Sequence, residues 1–109
     1  MRIMTHDEAM AFLLEGTRTG KVATIRANGR PHVTPIWFTI DDGDIVFNTW
    51  HESAKAKHLR RDPRVSLVTD LQEPPYAYVM IEGSADLSED LDEVRRVATA
   101  IGARYMGAE

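Results

Sequence analysis

The stretch His51-Glu52-Ser53-Ala54-Lys55-Ala56-Lys57-His58-Leu59-Arg60-Arg61 holds the residues whose types and spacing best suit chemistry. Ser53 fits the N-cap of a helix, which places Lys55 and Lys57 in its first turn. Cations there oppose the positive end of the helix dipole, at a cost of roughly a few tenths of a kcal/mol or more each. A chain that accepts this is placed to assemble an anion site, where free backbone N–H groups, the dipole and an ammonium converge on one phosphate. Local rules broken without evident gain are where function is expected. Residues two apart on a helix do not share a face. Lys55 lies over His58 and an inward-pointing Leu59, whereas Lys57 groups with Arg60 and Arg61 towards solvent. Lys55 is therefore the better phosphate ligand. Composition alone favours a solvated basic helix, so the segment needs support from its surroundings.

Other candidates are thinner. The histidines are His6, His32, His51 and His58. His51 and His58 can approach each other, but no pair has zinc-ligand spacing with a third partner, and no metal site is expected. The chain has no cysteine, which removes disulfides, thiolate chemistry and Cys-based metal sites. No Ser-His-Asp arrangement is readable, no paired carboxylates stand out, and Asp41, Asp42 and Asp44 are explained by a turn. There is no dinucleotide-binding or Walker-type glycine motif. No catalytic side chain can be assigned. Trp37 and Trp50 can stack on a flat ring or pack in a core or interface, and His32, next to Pro31, faces either a ligand or solvent.

The elements that must position these residues follow from local patterns. Thr5-His6-Asp7-Glu8 fits a capping box, followed by Ala9, Phe12 and Leu13 at helical spacing, with Gly16 ending the helix. Lys21–Arg26 reads as a strand, Asn28-Gly29 as a hairpin turn in which both residues tolerate positive φ, and Pro31–Ile40 as the return strand. Pro31 and Pro35 cannot donate backbone hydrogen bonds, so part of that strand is an edge or a bulge, with something other than a strand against its backbone. Asp41–Asp44 is a tight turn, Ile45–Thr49 a third strand, Ser53–Arg61 a short helix, Val65–Thr69 a strand and Leu71–Pro75 a loop. Tyr76–Asp86 is a long strand with Gly83 as a bulge. Ser88 or Asp90 caps a last helix whose Leu91, Val94, Ala98, Ile101 and Tyr105 share one face. Helix, three strands, helix, two strands, helix suggests a small β-barrel with helices outside it. Such a barrel is left open at Gly107, and further closing strands are expected.

The bulk properties agree. With 109 residues the chain is one domain, residues 1–109. Thirteen basic against seventeen acidic residues, a net charge of −4, argues against a nucleic-acid partner. No apolar run approaches the roughly 20 residues that span a bilayer, and the N-terminus lacks the apolar core of a signal peptide. A cytoplasmic protein without membrane partners is expected.

Four segments, taken in order, resemble a known family: Gly20–Ile25; Asn28–Phe38; Lys55–Leu67, which contains Lys55-Ala56-Lys57-His58-Leu59-Arg60-Arg61-Asp62-Pro63-Arg64-Val65; and Ile81–Ala85. They run as in the pyridoxamine 5′-phosphate oxidase-like proteins, and most resemble the actinobacterial F420-dependent reductases. The likeness covers nearly the whole chain. It implies a mainly β fold with flanking helices, a split β-barrel of the FMN-binding kind, here without its C-terminal strands. It also implies a homodimer with two cofactors at the interface. By this resemblance Thr34, Pro35, Ile36 and Trp37 border the tricyclic ring, which would account for the prolines. His32, Asn48 and Thr49 line the ring edge and ribityl region, and Ser53, Lys55 and Lys57 take the phosphate. Tyr76 and Tyr78 reach across from the other subunit.

The expected activity is hydride transfer from reduced F420, a deazaflavin, to a conjugated small-molecule acceptor. The chemistry is the cofactor's, and the protein positions the ring and excludes water. The acidic tail of F420 wants extra positive charge, which Lys57, Arg60 and Arg61 offer. FMN is the alternative cofactor, and a non-catalytic flavin or haem carrier the alternative function. The further basic residues through which the oxidase branch holds pyridoxal phosphate are not visible, so pyridoxamine phosphate oxidation is not expected.

Overall fold

Thr5 opens the first helix, α1 (His6–Leu14), through a complete capping box: Glu8 N–H donates to Thr5 Oγ1 at 3.2 Å, and Thr5 N–H donates to Glu8 Oε1 at 3.0 Å. A computed structural model describes residues 3–107. After α1 the chain makes β1 (Gly20–Ile25), β2 (Pro31–Ile36), β3 (Thr39–Asp41) and β4 (Asp44–Val46). Then come α2 (Ala54–Arg61), β5 (Arg64–Leu71), β6 (Ala77–Ser84) and α3 (Leu91–Met106). The strands form a four-stranded antiparallel sheet in the order β2-β1-β5-β6 and a separate β3-β4 hairpin. The architecture is mainly β with flanking helices, as read from the sequence, and the described residues form no closed barrel.

The β1–β2 connection is a hairpin, but not a two-residue one. Arg26 N–H donates to Arg30 O and Gly29 N–H to Arg26 O, both at 2.9 Å. Only Gly29 is left-handed, at φ 85°; Asn28 is not. This is a longer turn closed by one glycine in place of the primed pair. The Arg26–Arg30 bond also sets the pairing parity. Counting from it, the Thr24–His32 and Val22–Thr34 pairs exchange hydrogen bonds, while Pro31, Val33 and Pro35 turn their backbone groups away from β1. The prolines therefore lie on an edge strand with their missing donors pointing outward, as the edge reading anticipated.

The expected strand Pro31–Ile40 is broken at Trp37-Phe38 into β2 and β3. Phe38 N–H donates to Tyr105 Oη at 3.3 Å and Phe38 O accepts from Arg104 Nη1 at 2.6 Å, so α3 side chains satisfy this peptide where a neighbouring strand would. Three other expectations change. Gly83 is no bulge, because it pairs in register with Val65. The third strand covers only Asp44–Val46, and Phe47–Trp50 is irregular. The buried face of α3 is centred on Val97 and Ile101, while Leu91 and Ala98 stay exposed. Asp90, not Ser88, is the α3 cap, and Ser88 Oγ bonds the cap's own N–H and the Glu93 carboxylate.

Phe12 and Leu13 of α1 pack on the inner sheet face with Val22, Ile36, Leu67 and Val79 around the fully buried Phe38. Gly20 permits this: a Cβ there would lie 3.1 Å from Leu67 Cδ1 and 3.2 Å from the Phe38 ring. Thr69, also fully buried, donates its hydroxyl to Thr19 O at 3.0 Å. The opposite sheet face leaves Val33, Tyr78 and Met80 exposed.

Candidate functional site

The end of β2, the irregular segment after β4, the start of α2 and one side of α3 border an open cavity of about 390 Å³. This falls within the range of small-molecule sites. Pro35, Ile36, Trp37, Asn48, Thr49 and Lys55 line it on one side. Ala98, Ile101, Gly102 and Met106 of α3 supply the other wall.

Six of the residues anticipated from the sequence thus meet at one place. Trp37 and Asn48 are exposed, and Lys55 is half-buried. The Asn48 amide donates to Val94 O at 3.3 Å, tying the irregular segment to α3. Ser53 is the N-cap of α2: its Oγ accepts from Ala56 N–H at 3.1 Å and shares a 2.9 Å hydrogen bond with Thr49 Oγ1. Lys57 N–H donates to Ser53 O at 3.1 Å. The Ala54 and Lys55 N–H groups, at the start of the same helix turn, have no hydrogen-bond partner among the described residues. Leu59 is buried and Lys57 exposed, which separates the two lysines as the helix-face argument required.

His32 and Thr34 are half-buried on the inner face of β2 and do not line the cavity. Each carries a buried polar atom without a hydrogen-bond partner, His32 Nδ1 and Thr34 Oγ1. His58 pairs with this strand region and not with His51. Its Nδ1 lies 2.9 Å from Thr24 Oγ1, and its ring meets that of His32 edge-on at 5.0 Å. Desolvation, then the neighbouring His32, Arg61 and Arg26, hold its pKa below the ordinary value. The His51 ring packs against Trp50. Arg60 and Arg61 are exposed but engaged, Arg60 Nη2 donating to His51 O at 2.6 Å and Arg61 Nη2 donating to Ile25 O. Tyr78 lies apart, in a second concavity with Tyr76, Asp70 and Leu71 at the β5–β6 end. Among the described residues no cluster of His, Asp or Glu could hold a metal ion.

The α3 wall was not anticipated. Its placement depends on two adjacent side chains. Arg104 donates to Phe38 O at 2.6 Å, Leu13 O at 2.7 Å and Gly16 O at 3.3 Å. Its guanidinium lies over the rings of Phe38 and Tyr105. Tyr105 donates to Arg18 O at 3.0 Å, and its ring stacks on Trp37 with centroids 4.9 Å apart and planes 2° from parallel. One face of the Trp37 indole is thereby covered. An arginine three residues before the described end of the chain is the signal that could have located this anchor.

A family model described as pyridoxamine 5′-phosphate oxidase matches residues 6–109. The F420H2-dependent biliverdin reductase of Mycobacterium tuberculosis is 29% identical over 99 residues, covering 91% of this chain and 71% of that protein. A conserved hypothetical protein of Mycobacterium tuberculosis, known from its crystal structure, is 36% identical with a TM-score of 0.90 over 98% of this chain and 68% of its own. A structure described as F420 reductase gives a TM-score of 0.74 at 27% identity, over 88% of this chain and 75% of that one. No described helix is long and apolar enough to cross a membrane.

Proposed function

Because the chain belongs to the pyridoxamine 5′-phosphate oxidase family, we propose that it is an F420-dependent oxidoreductase that transfers a hydride to a conjugated small-molecule acceptor. The observation that carries this reading is the single cavity that joins Pro35-Ile36-Trp37 to Asn48, Thr49 and Lys55. Two relatives named for F420, at 29% and 27% identity, favour the deazaflavin over FMN. When bound, the cofactor supplies the hydride. The chain's own residues bind it, orient it and keep water from it.

Each part of the site has a task that its chemistry suits. The Pro35–Trp37 backbone and the α3 wall bracket a flat ring, with Asn48 and Thr49 offering polar groups at its rim. Lys55 and the Ala54 and Lys55 N–H groups meet the phosphate at the positive end of the α2 dipole. Ser53 acts by shaping this helix start, since its hydroxyl is already shared between Ala56 N–H and Thr49. Lys57, exposed on the solvent face of the helix with Arg60 and Arg61, offers its charge to the acidic tail where that tail leaves the cavity. His32 and Thr34 offer unsatisfied buried polar atoms on the same strand. No side chain is placed as an obligatory acid, and solvent supplies the proton. FMN, with a phosphate but no acidic tail, would use Lys55 and leave Lys57 idle.

A second copy of the chain completes the site. The outer sheet face exposes Val33 at 61%, Tyr78 at 65% and Met80 at 56%, apolar surface suited to self-association. Tyr76 and Tyr78 then belong to the neighbouring subunit's cofactor.

Fluorescence-quenching titration with F420 and with FMN tests this function. A hydrogen bond to a charged group contributes about 1.5–3 kcal/mol, so Lys55→Ala is expected to weaken binding by roughly ten- to hundredfold. Lys57→Ala should weaken F420 more than FMN. Equal affinities in wild type and Lys55→Ala would refute the phosphate assignment.

A further inference from the structure

Gly102 stands inside the sixteen-residue helix α3, where glycine is less favourable than alanine because its backbone loses more freedom on folding. Two circumstances keep such a residue: neighbouring atoms leave no room for a side chain, or something outside the chain needs the room. The first does not hold. A Cβ on Gly102 would meet only Met106 Cε at 3.4 Å, the far end of a flexible side chain, whereas one on Gly20 would press into Leu67 and Phe38. Nor is the backbone left-handed there. What Gly102 does face is the cavity, which it lines opposite Pro35, Ile36 and Trp37 and together with Lys55. The helix cannot readily withdraw to make space, because Arg104 and Tyr105, two and three residues further on, pin it to Leu13, Gly16, Arg18 and Phe38.

We propose that Gly102 is a specificity-determining position of this cavity, its missing side chain providing the depth that a flat tricyclic ring needs between α3 and the Pro35–Trp37 strand. This rests on the cofactor reading of the cavity. Helix stability is given up for clearance. A side chain at 102 narrows the slot from the α3 side while leaving the Lys55 end untouched, so it discriminates by the ring and not by the phosphate.

The test pairs two substitutions with two readouts, melting temperature without ligand and binding of F420 and FMN by fluorescence quenching. Gly102→Ala is expected to raise the melting temperature by about 3–6 °C and to weaken both cofactors about tenfold, the order expected for one misplaced methyl in a fitted pocket. Gly102→Leu is expected to abolish measurable binding of both. Inorganic phosphate, added as a competitor of residual binding, should act alike in wild type and Gly102→Ala. Wild-type affinity in both variants overturns the clearance role and leaves the cofactor cavity standing. A lower melting temperature in Gly102→Ala also overturns it, since the chain's own packing would then require the glycine. Failure of the wild type to bind either cofactor overturns the cavity reading and the inference with it.

Discussion

Replacing Arg104 with alanine is expected to lower the melting temperature by about 12–18 °C. The magnitude follows from its contacts. The guanidinium donates to Phe38 O at 2.6 Å and Leu13 O at 2.7 Å, both in part-buried surroundings. Each such charge-assisted bond contributes about 1.5 kcal/mol at the lower end of its range, together about 3 kcal/mol. The 3.3 Å contact to Gly16 O is long and exposed, and counts for little. For a domain of this size each kcal/mol shifts the midpoint by about 4–6 °C. Stacking over Phe38 and Tyr105 adds to the loss, and water reaching the freed carbonyls subtracts from it. Circular dichroism melts report the change directly. Arg95→Ala is the control: Arg95 is exposed on the same helix, without a hydrogen bond or ion pair among the described residues, and its loss should fall within about 0.5 kcal/mol. Arg104→Lys should recover little, because one ammonium cannot span three carbonyls. A midpoint for Arg104→Ala within a few degrees of Arg95→Ala would refute the argument that these bonds hold α3 in place.

Two titrations give further checks. Asp62 receives two hydrogen bonds from the Arg64 side chain, at 3.0 and 2.7 Å, which with its backbone bond lower its pKa to about 2; an NMR titration should find that value, and Arg64→Ala should return it towards 3.8. Any stability from this pair is present above the unfolded carboxylate value and is lost only as pH falls towards the folded one. Desolvation, with His32, Arg61 and Arg26 adding to it, lowers the pKa of His58 in the fold. Its contribution is therefore complete above its ordinary value of 6.5 and declines as pH falls through the lower folded value. Between those two values the melting temperature of wild type should drop more steeply with falling pH than that of His58→Gln, and identical slopes would remove His58 from the account.

Much of this fold was legible because local chemistry specified it. The Thr5–Glu8 box, the Ser53 cap and the Gly29 turn each satisfy backbone groups within four residues, so their partners lie within view of any short window. The prolines of β2 were readable for the same reason: a missing donor is a property of the residue itself. The convergence of Pro35 to Trp37 with Asn48, Thr49 and Lys55 came from the order of family-like segments, not from spacing. What escaped depends on distant partners. The break at Trp37-Phe38 is made by Tyr105 and Arg104, 67 and 66 positions away. Seven residues apart, His51 and His58 can approach each other as far as the sequence goes, yet β1 and β2 bring Thr24 and His32 to His58 instead. The rotated face of α3 had a similar origin. Apolar periodicity included Leu91 and Ala98, but the helix is oriented by a charged residue and a phenol near its end.

The outward-turned prolines of β2 also bear on how this sheet meets other chains. An edge strand with a full row of donors is a template on which foreign strands can grow. Pro31 and Pro35 remove two of the three outward donors at alternate positions, leaving only Val33 N–H between them. Strand addition on this side would lack regular hydrogen bonding, even though Val33 leaves apolar surface exposed there. The opposite edge, β6, spans eight residues without a proline and carries Tyr78 and Met80. Among the described residues the two edges thus differ: β2 is blunted against self-templating, whereas β6 keeps a backbone donor at every position.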